Sequence, residues 1–284
     1  MADAALAIAT RDRPHLVARF LLPLVGTARS RGWEVVVVDQ SGGGETERLI
    51  GGLDGVRYLR SQPGLARARN VAIRATDAAV IGFCDDDVSA EAEWFDDVQR
   101  LFAEHERAGA VCGPVVTQKG RSLPGVQGGI YRWPSHPFRL GTGANFAVRR
   151  EALADAGVFD EELGAGARFH AAEETDLLYR IQRASWSIVY APELTVVHHE
   201  WRSTREELRL HYRYGVGAGA QTGKHAAAGD REAIRFGIAE VGHHLFWLGR
   251  SLVGLRFRTA SVQLPFLAGF ATGFVRRRLR GRSA

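Results

Sequence analysis

The chain has 284 residues, of which 45% are hydrophobic and 24% charged. This is ordinary globular usage; it excludes a disordered chain or a small disulfide scaffold and leaves room for one large domain or two modest ones. The net charge of +5 is unevenly spread: Arg276, Arg277, Arg278, Arg280 and Arg282 crowd the C-terminus, and the remaining bases only balance the 32 acids. A balanced body disfavours a nucleic-acid-coating protein, so no nucleic-acid partner is expected. Cys84 and Cys112 form no CxxC pair, which argues against a thiolate zinc site and fits a reducing compartment. No basic segment precedes the first apolar stretch, so no secretory leader is expected and the chain reads as cytoplasmic.

Residues 6–9 read as a short strand, and a helical pattern follows through Leu16, Phe20, Leu21 and Leu24. Residues 35–38 are four valines, the signature of a strand buried on both faces. Asp39 ends that run, and Ser41-Gly42-Gly43-Gly44 signals a turn. Residues 56–59 read as a strand, 66–75 as a helix after Pro63-Gly64, and 79–83 as a strand running into Asp85-Asp86-Asp87. A helix over 94–102 and a strand over 110–116 follow. This alternation predicts an α/β fold, a mostly parallel sheet flanked by helices. Residues 118–140 form a Gly/Pro-rich loop interleaved with aromatics, of the kind that is usually functional. Regular structure resumes at 144 and continues to His199. Strand signals then vanish, which places a boundary near 201: a first domain over 1–200 and a helical appendage over 201–284. The longest charge-free run, between Arg258 and Arg276, contains Gln263, Pro265, Gly269 and Gly273, and it falls short of the roughly 20 apolar residues of a membrane span.

In open α/β sheets ligands bind beyond the carboxyl ends of the strands. Asp39 and the triplet Asp85–Asp87 lie at such ends. Three adjacent carboxylates repel one another, and a divalent cation would compensate. Mg²⁺ is typically held by one or two carboxylates plus substrate phosphates, which suits Asp85 and Asp87. The alternative is that one Asp caps a helix starting near Val88. For Asp39 a turn-capping role is an equal alternative.

Asp39 after its valine run, Gly64 with Arg67, Arg69 and Asn70, and then Phe83-Cys84-Asp85-Asp86-Asp87 resemble the nucleotide-sugar half of family 2 glycosyltransferases, which have the GT-A fold. The second half continues the resemblance: Gly141 to Phe146, Gly157-Val158-Phe159-Asp160, Glu173-Glu174-Thr175-Asp176, Arg180, and Tyr190-Ala191-Pro192 through His198-His199. It covers residues 5–200. The resemblance implies an inverting transferase that moves a sugar from a nucleotide-diphosphate sugar to an acceptor hydroxyl, a lipid-linked acceptor being one option, with Mg²⁺ or Mn²⁺ as cofactor. It places Thr10, Arg13, Asp39, Gly64, Arg69, Asp85, Asp86 and Asn145 around the donor, with Asp39 on the base. Asp85, Asp87 and His198 would hold the metal, although His199 competes with His198. For Arg69 a solvated helix face is the alternative reading.

The family usually carries Glu-Asp where this chain has Glu173-Glu174, and the second position is associated with the general base. If 173–184 is helical, Glu174, Leu177, Leu178 and Ile181 share one core-facing stripe. Asp176 falls on another side, where it can pair with Arg180 at i+4. Glu174 is therefore the expected base and Asp176 the second candidate. A nucleotidyltransferase or a non-catalytic sugar-binding protein are the other readings, the first disfavoured because Thr10-Arg11-Asp12-Arg13-Pro14 lacks a Gly-rich loop. In the appendage, the apolar run 259–275 beside the arginine cluster matches a peripheral anchor on anionic lipid; packing on the first domain or in an oligomer is the alternative. His211, His243 and His244 read as structural.

Overall fold

The computed structural model describes residues 3–117, 127–199, 204–254 and 257–280. They form two units: 1–160 with 174–200, and 161–173 with 201–284. Residues 161–173, expected in the first domain, thus belong with the C-terminal helices.

In the first unit the chain alternates β1 (Ala4–Thr10), α1 (Pro14–Ser30), β2 (Trp33–Asp39), α2 (Glu45–Ile50), β3 (Val56–Arg60), α3 (Leu65–Ala75) and β4 (Val80–Asp85). There follow β5 (Val88–Ala90), α4 (Glu93–Glu104), β6 (Ala108–Cys112), β7 (Val115–Thr117), β8 (Gly129–Tyr131), β9 (Asn145–Arg149), α5 (Arg150–Ala156), α6 (Glu173–Arg183), β10 (Ser187–Tyr190) and β11 (Val196–His198). Among the described residues, one eight-stranded sheet has the order β3-β2-β1-β4-β9-β6-β10-β8. Strands β3, β2, β1 and β4 run parallel, while β9 is antiparallel to both its neighbours. The order reverses between β1 and β4, the crevice position of an open α/β sheet.

Each valine of 35–38 is fully buried, but to opposite sides. Val35 and Val37 pack with Leu6, Ile8 and Trp94; Val36 and Val38 pack with Ala7, Phe83 and Phe146. Burial on both faces is why this strand reads as continuously apolar rather than alternating.

Three local expectations change. The predicted strand over 110–116 is two strands, β6 and β7, in different sheets, with Gly113-Pro114 between them. A Cβ on Gly113 would stand 2.1 Å from the Leu194 carbonyl oxygen, so this crossing needs glycine. Residues 88–90 form β5, not the start of a helix, which removes the capping explanation for the Asp triplet. Part of the Gly/Pro loop is strand β8, added to the edge of β10; residues 118–126 of that loop lie outside the described residues.

In the second unit, α7 (Thr204–Ala227), α8 (Arg231–Val253) and α9 (Phe257–Arg280) accompany residues 161–173. Glycines join α7 to α9. A Cβ on Gly215 or Gly219 would stand 2.0 Å from the carbonyl oxygen of Phe266 or Phe270, and one on Gly269 or Gly273 would stand 2.1 or 2.0 Å from that of Tyr212 or Val216. The two backbones therefore touch directly, as in small-residue helix pairs. One face of the apolar run 259–275 is thus packed on α7. Arg277 and Arg280 both pair with Glu162, so the basic cluster is partly committed inside the unit. Arg282 lies outside the described residues. No described helix is long and apolar enough to cross a membrane.

Candidate active site

Parallel register brings the strand ends together. Thr10 is level with Asp39 across β1 and β2, and Ala9 is level with Asp85 across β1 and β4. Reversal of β9 brings its first residue, Asn145, to the same edge, beside Cys84.

A polar cleft of about 660 Å³ opens beyond the ends of β1, β2 and β3. Arg11, Gln40, Ser41, Arg60, Ser61 and Gln62 help line it. Arg60 donates to the carbonyl oxygens of Ser41 and Gly43, at 2.8 and 3.4 Å. The backbone N–H of Asp12 donates to Ser41 Oγ at 2.7 Å, tying the loops after β1 and β2 together. Gly64 has a φ of +137°, a conformation that favours glycine, and its N–H donates to Gln40 Oε1 at 2.7 Å. Asp39 itself is fully buried. Its Oδ1 accepts from Ser41 N and Ser41 Oγ at 2.8 and 2.5 Å, and its Oδ2 from Tyr58 OH at 2.8 Å. The turn-capping alternative is thus realised, and Asp39 shapes the cleft from beneath.

The Asp triplet is divided among three environments. Asp86 is buried; its Oδ2 accepts from Thr10 Oγ1 at 2.6 Å and its Oδ1 lies 3.2 Å from Arg13 Nη1. Burial pushes its carboxyl up to about 7, against the opposing pull of Arg13 and of the Thr10 hydroxyl. Asp87 is also buried and lies 3.3 Å from Arg13 Nη1 and 3.4 Å from His198 Nε2. Asp85 keeps 34% of its side chain exposed and meets Arg69 Nη2 at 3.2 Å. The repulsion that seemed to require a cation is therefore largely balanced by Arg13, Arg69 and Thr10. Among the described residues, no three His, Cys, Asp or Glu side chains are grouped to hold a metal by themselves.

Arg69 is only 3% exposed, which overturns the solvated-face alternative. Its guanidinium lies 5.8, 5.5 and 5.6 Å from the ring centroids of Phe83, Phe146 and Phe159, and Nη2 donates to the Gly143 carbonyl oxygen at 2.6 Å. Glu174 lies near Arg69, Asp85 and Gly143 at the start of α6. Burial pushes its carboxyl up, and the Arg69 charge pulls it part of the way back. Leu177, Leu178 and Ile181 are fully buried, but Glu174 at the head of that stripe is only half-buried, whereas Glu173 and Asp176 are 4% and 0% exposed, so the stripe alone does not single Glu174 out. Cys84 and Cys112 are buried free thiols pushed up by desolvation, which leaves no activated thiolate here.

Residues 6–157, more than half of the chain, match the family model described as "Glycosyl transferase family 2". The chain belongs to glycosyltransferase family 2. No curated protein sequence matches it. Among solved structures it is similar to the mannosyltransferase PcManGT from Pyrobaculum calidifontis, described in complex with GDP-Man and Mn²⁺. There the identity is 16%, the TM-score 0.66, and the match covers 95% of this chain and 86% of that one. It is also similar to residues 1–349 of S. aureus TarS in complex with UDP-GlcNAc, at 17% identity and TM-score 0.57, over 76% of this chain and 65% of that one. At such identities the likeness concerns the fold, which is of the GT-A type. Membership of an enzyme family sets aside the nucleotidyltransferase and non-catalytic readings.

Not every residue that the family resemblance put around the donor is placed to touch one. Asn145 is fully buried. Its Oδ1 accepts from Trp94 Nε1 at 2.9 Å, and its Nδ2 donates to the carbonyl oxygens of Pro114, at 3.0 Å, and Leu194. It braces β7 and the approach to β11 and does not line a ligand. Asp176 pairs with Arg180 at 2.8 Å as expected, but inside the protein: it is 0% exposed. Arg180 also donates to the carbonyl oxygens of Ala156 and Val158. That network ties α6 to the end of α5 and the residues that follow it. His198 faces Asp87, whereas His199 contacts Ser89 Oγ at 3.2 Å, which favours His198 between the two. Arg11, Arg60 and Gln62 were missed. Their signal was position alone, at the ends of strands already recognised.

Proposed function

We propose that this family 2 glycosyltransferase is an inverting enzyme that uses a nucleotide-diphosphate sugar as donor, Glu174 as general base and a bound Mg²⁺ or Mn²⁺. The observation that carries the reading is Glu174: a half-buried carboxyl, pushed up by desolvation, beside Arg69 and Asp85 at the C-terminal edge of the sheet. A partly desolvated carboxylate is the usual means of bringing a base toward working pH. Two of the similar structures hold sugar nucleotides, which supports the donor class.

The cation is supported by the donor set. Asp85 offers a partly open carboxylate, and Asp87 and His198 face one another at 3.4 Å. Too few protein ligands for a closed cage is what a cation shared with a diphosphate requires. Asp87 and His198, with Asp85 reaching it only through the diphosphate, would hold it, and when bound it would neutralise charge building on the leaving diphosphate. The donor's nucleoside would occupy the cleft between Arg11 and Arg60. Thr10 and Arg13 hold Asp86 and Asp87 in place. Glu174 accepts the proton of the acceptor hydroxyl as its oxygen bonds to the anomeric carbon and the bond to the nucleoside diphosphate breaks. A single displacement inverts that carbon.

Glu174→Gln tests the base. Transfer should fall by about 10²-fold or more while donor binding, read by calorimetry, stays near wild type. Turnover within about twofold of wild type would refute the assignment. Asp87→Ala should abolish the Mn²⁺-dependent part of donor binding; identical binding in both proteins, with and without chelator, would refute the metal role.

A further inference from the structure

Helix α8 carries an outward face with no polar side chain along most of its length. Ile238, Leu245, Phe246, Leu252 and Val253 are 69, 52, 61, 52 and 88% exposed. At 100° per residue they fall within a sector about 120° wide. The other positions of that sector between Ile238 and Val253 are Gly242 and Gly249, both open to space. The opposite face is the buried one, with Ala233, Gly237 and Ser251. The usual amphipathic arrangement packs its apolar stripe inward; here a second apolar stripe, about 22 Å long, points out.

Charge on this helix is arranged to match. Its two acids do not reach the outward face as free charges: Glu232 pairs with Arg235 and Glu240 with His244. Arg250, at the edge of the stripe, lies 5.9 Å from the Trp247 ring. After Glu240 every Asp and Glu is absent, and each remaining cation-bearing side chain apart from histidine is an arginine. On α9 a matching outward line runs through Leu264, Val275 and Leu279, at 58, 53 and 60% exposure.

We infer that α8 docks on an anionic lipid surface, lying in the interface with Ile238, Leu245, Phe246, Leu252 and Val253 among the acyl chains and Arg250 at the head groups. An apolar stripe with a cation at its edge and both acids of the helix already paired suits such a surface. A second copy of the chain fits less well, because Arg250 would find no free acid on the facing stripe. This places the membrane contact on α8, whose exposed apolar residues are the larger set, and not on the face of α9 packed against α7. The inference is independent of the transferase reading.

The test is co-sedimentation of the full chain with vesicles of phosphatidylcholine alone or containing roughly a quarter phosphatidylglycerol. Wild type should sediment with the anionic vesicles and not with the neutral ones. Phe246→Ser and Val253→Ser should each reduce partitioning about tenfold. Thermal midpoints should be unchanged, since both side chains are exposed. Wild-type partitioning by both variants would overturn the proposal, as would absence of binding by the wild type. A dimer in light scattering that these substitutions dissociate, without vesicle binding, would overturn it in favour of self-association. Sugar-nucleotide turnover without vesicles should be the same in all three proteins, so failure of the lipid contact and failure of the transferase reading give separate signals.

Discussion

Asn145→Ala separates a brace from a ligand contact. The change removes three hydrogen bonds at once: one from Trp94 Nε1, and those to the carbonyl oxygens of Pro114 and Leu194. Water has poor access to repair them, because Asn145 is 0% and Trp94 2% exposed. Leaving a buried group unsatisfied costs about 1–3 kcal/mol, so three such groups, partly relaxed, give about 3–6 kcal/mol. That is a large part of a typical domain's stability. For a domain of this size it lowers the midpoint by roughly 10 °C or more. Urea and thermal unfolding followed by tryptophan fluorescence measure it directly, since Trp33 and Trp94 lie 5.6 Å apart beside the site. A ligand-lining Asn145 predicts the opposite pattern: unchanged stability and a raised donor KM. A midpoint within about 2 °C of wild type would refute the brace.

Gly219→Ala should destabilise the second unit by about 2 kcal/mol in urea, because the added methyl meets the Phe270 carbonyl oxygen. Gly242→Ala, with nothing within 4 Å, should instead stabilise it by up to about 1 kcal/mol; equal effects at the two sites would refute the close contact. Arg69→Met removes the charge that pulls Glu174 down. The active form of a base is deprotonated, so activity is present above its pKa and lost as pH falls through it. The acid limb of kcat/KM should therefore move to higher pH, and an unmoved limb would exclude electrostatic coupling between the two residues. Thr10→Val removes the hydroxyl that donates to Asp86 at 2.6 Å. It should cost about 1–2 kcal/mol of stability in alkaline solution, where Asp86 is ionised, and progressively less as pH falls through about 7, where Asp86 becomes protonated, as calorimetry across pH would show.

The parts of this molecule written in short runs were legible. Four consecutive valines announce a strand covered on both faces, and an acid at the end of such a strand announces the site edge. Helical spacing placed Glu174 on the stripe of Leu177, Leu178 and Ile181, but not that Glu173 and Asp176 are the more deeply buried acids. What escaped depends on partners far apart in the chain. Arg69 looks like any helix-surface arginine until Phe83, Phe146 and Phe159 close around it from three segments. Asp176 has its expected i+4 partner, but nothing local says that the pair is buried with the carbonyls of Ala156 and Val158. Strand β5 has three residues, too short for any periodicity to register. Asn145 sits in a Gly-rich stretch that reads as a ligand loop, and only the reversal of β9 carries its amide inside.

The glycine contact between α7 and α9 fixes distance but not register. Its knobs and its receiving carbonyls both recur every fourth residue, so α9 moved along α7 by one turn, about 5.4 Å, would meet an almost identical surface. A ruler with evenly spaced marks cannot tell one mark from the next. Something off the repeat has to choose: Glu162, held by both Arg277 and Arg280, supplies one reference point, and His244, against Gln263 and Phe266, another. Two arginines of a cluster that hydropathy presents as a loose basic tail thus act as one of the stops that set where the last helix comes to rest.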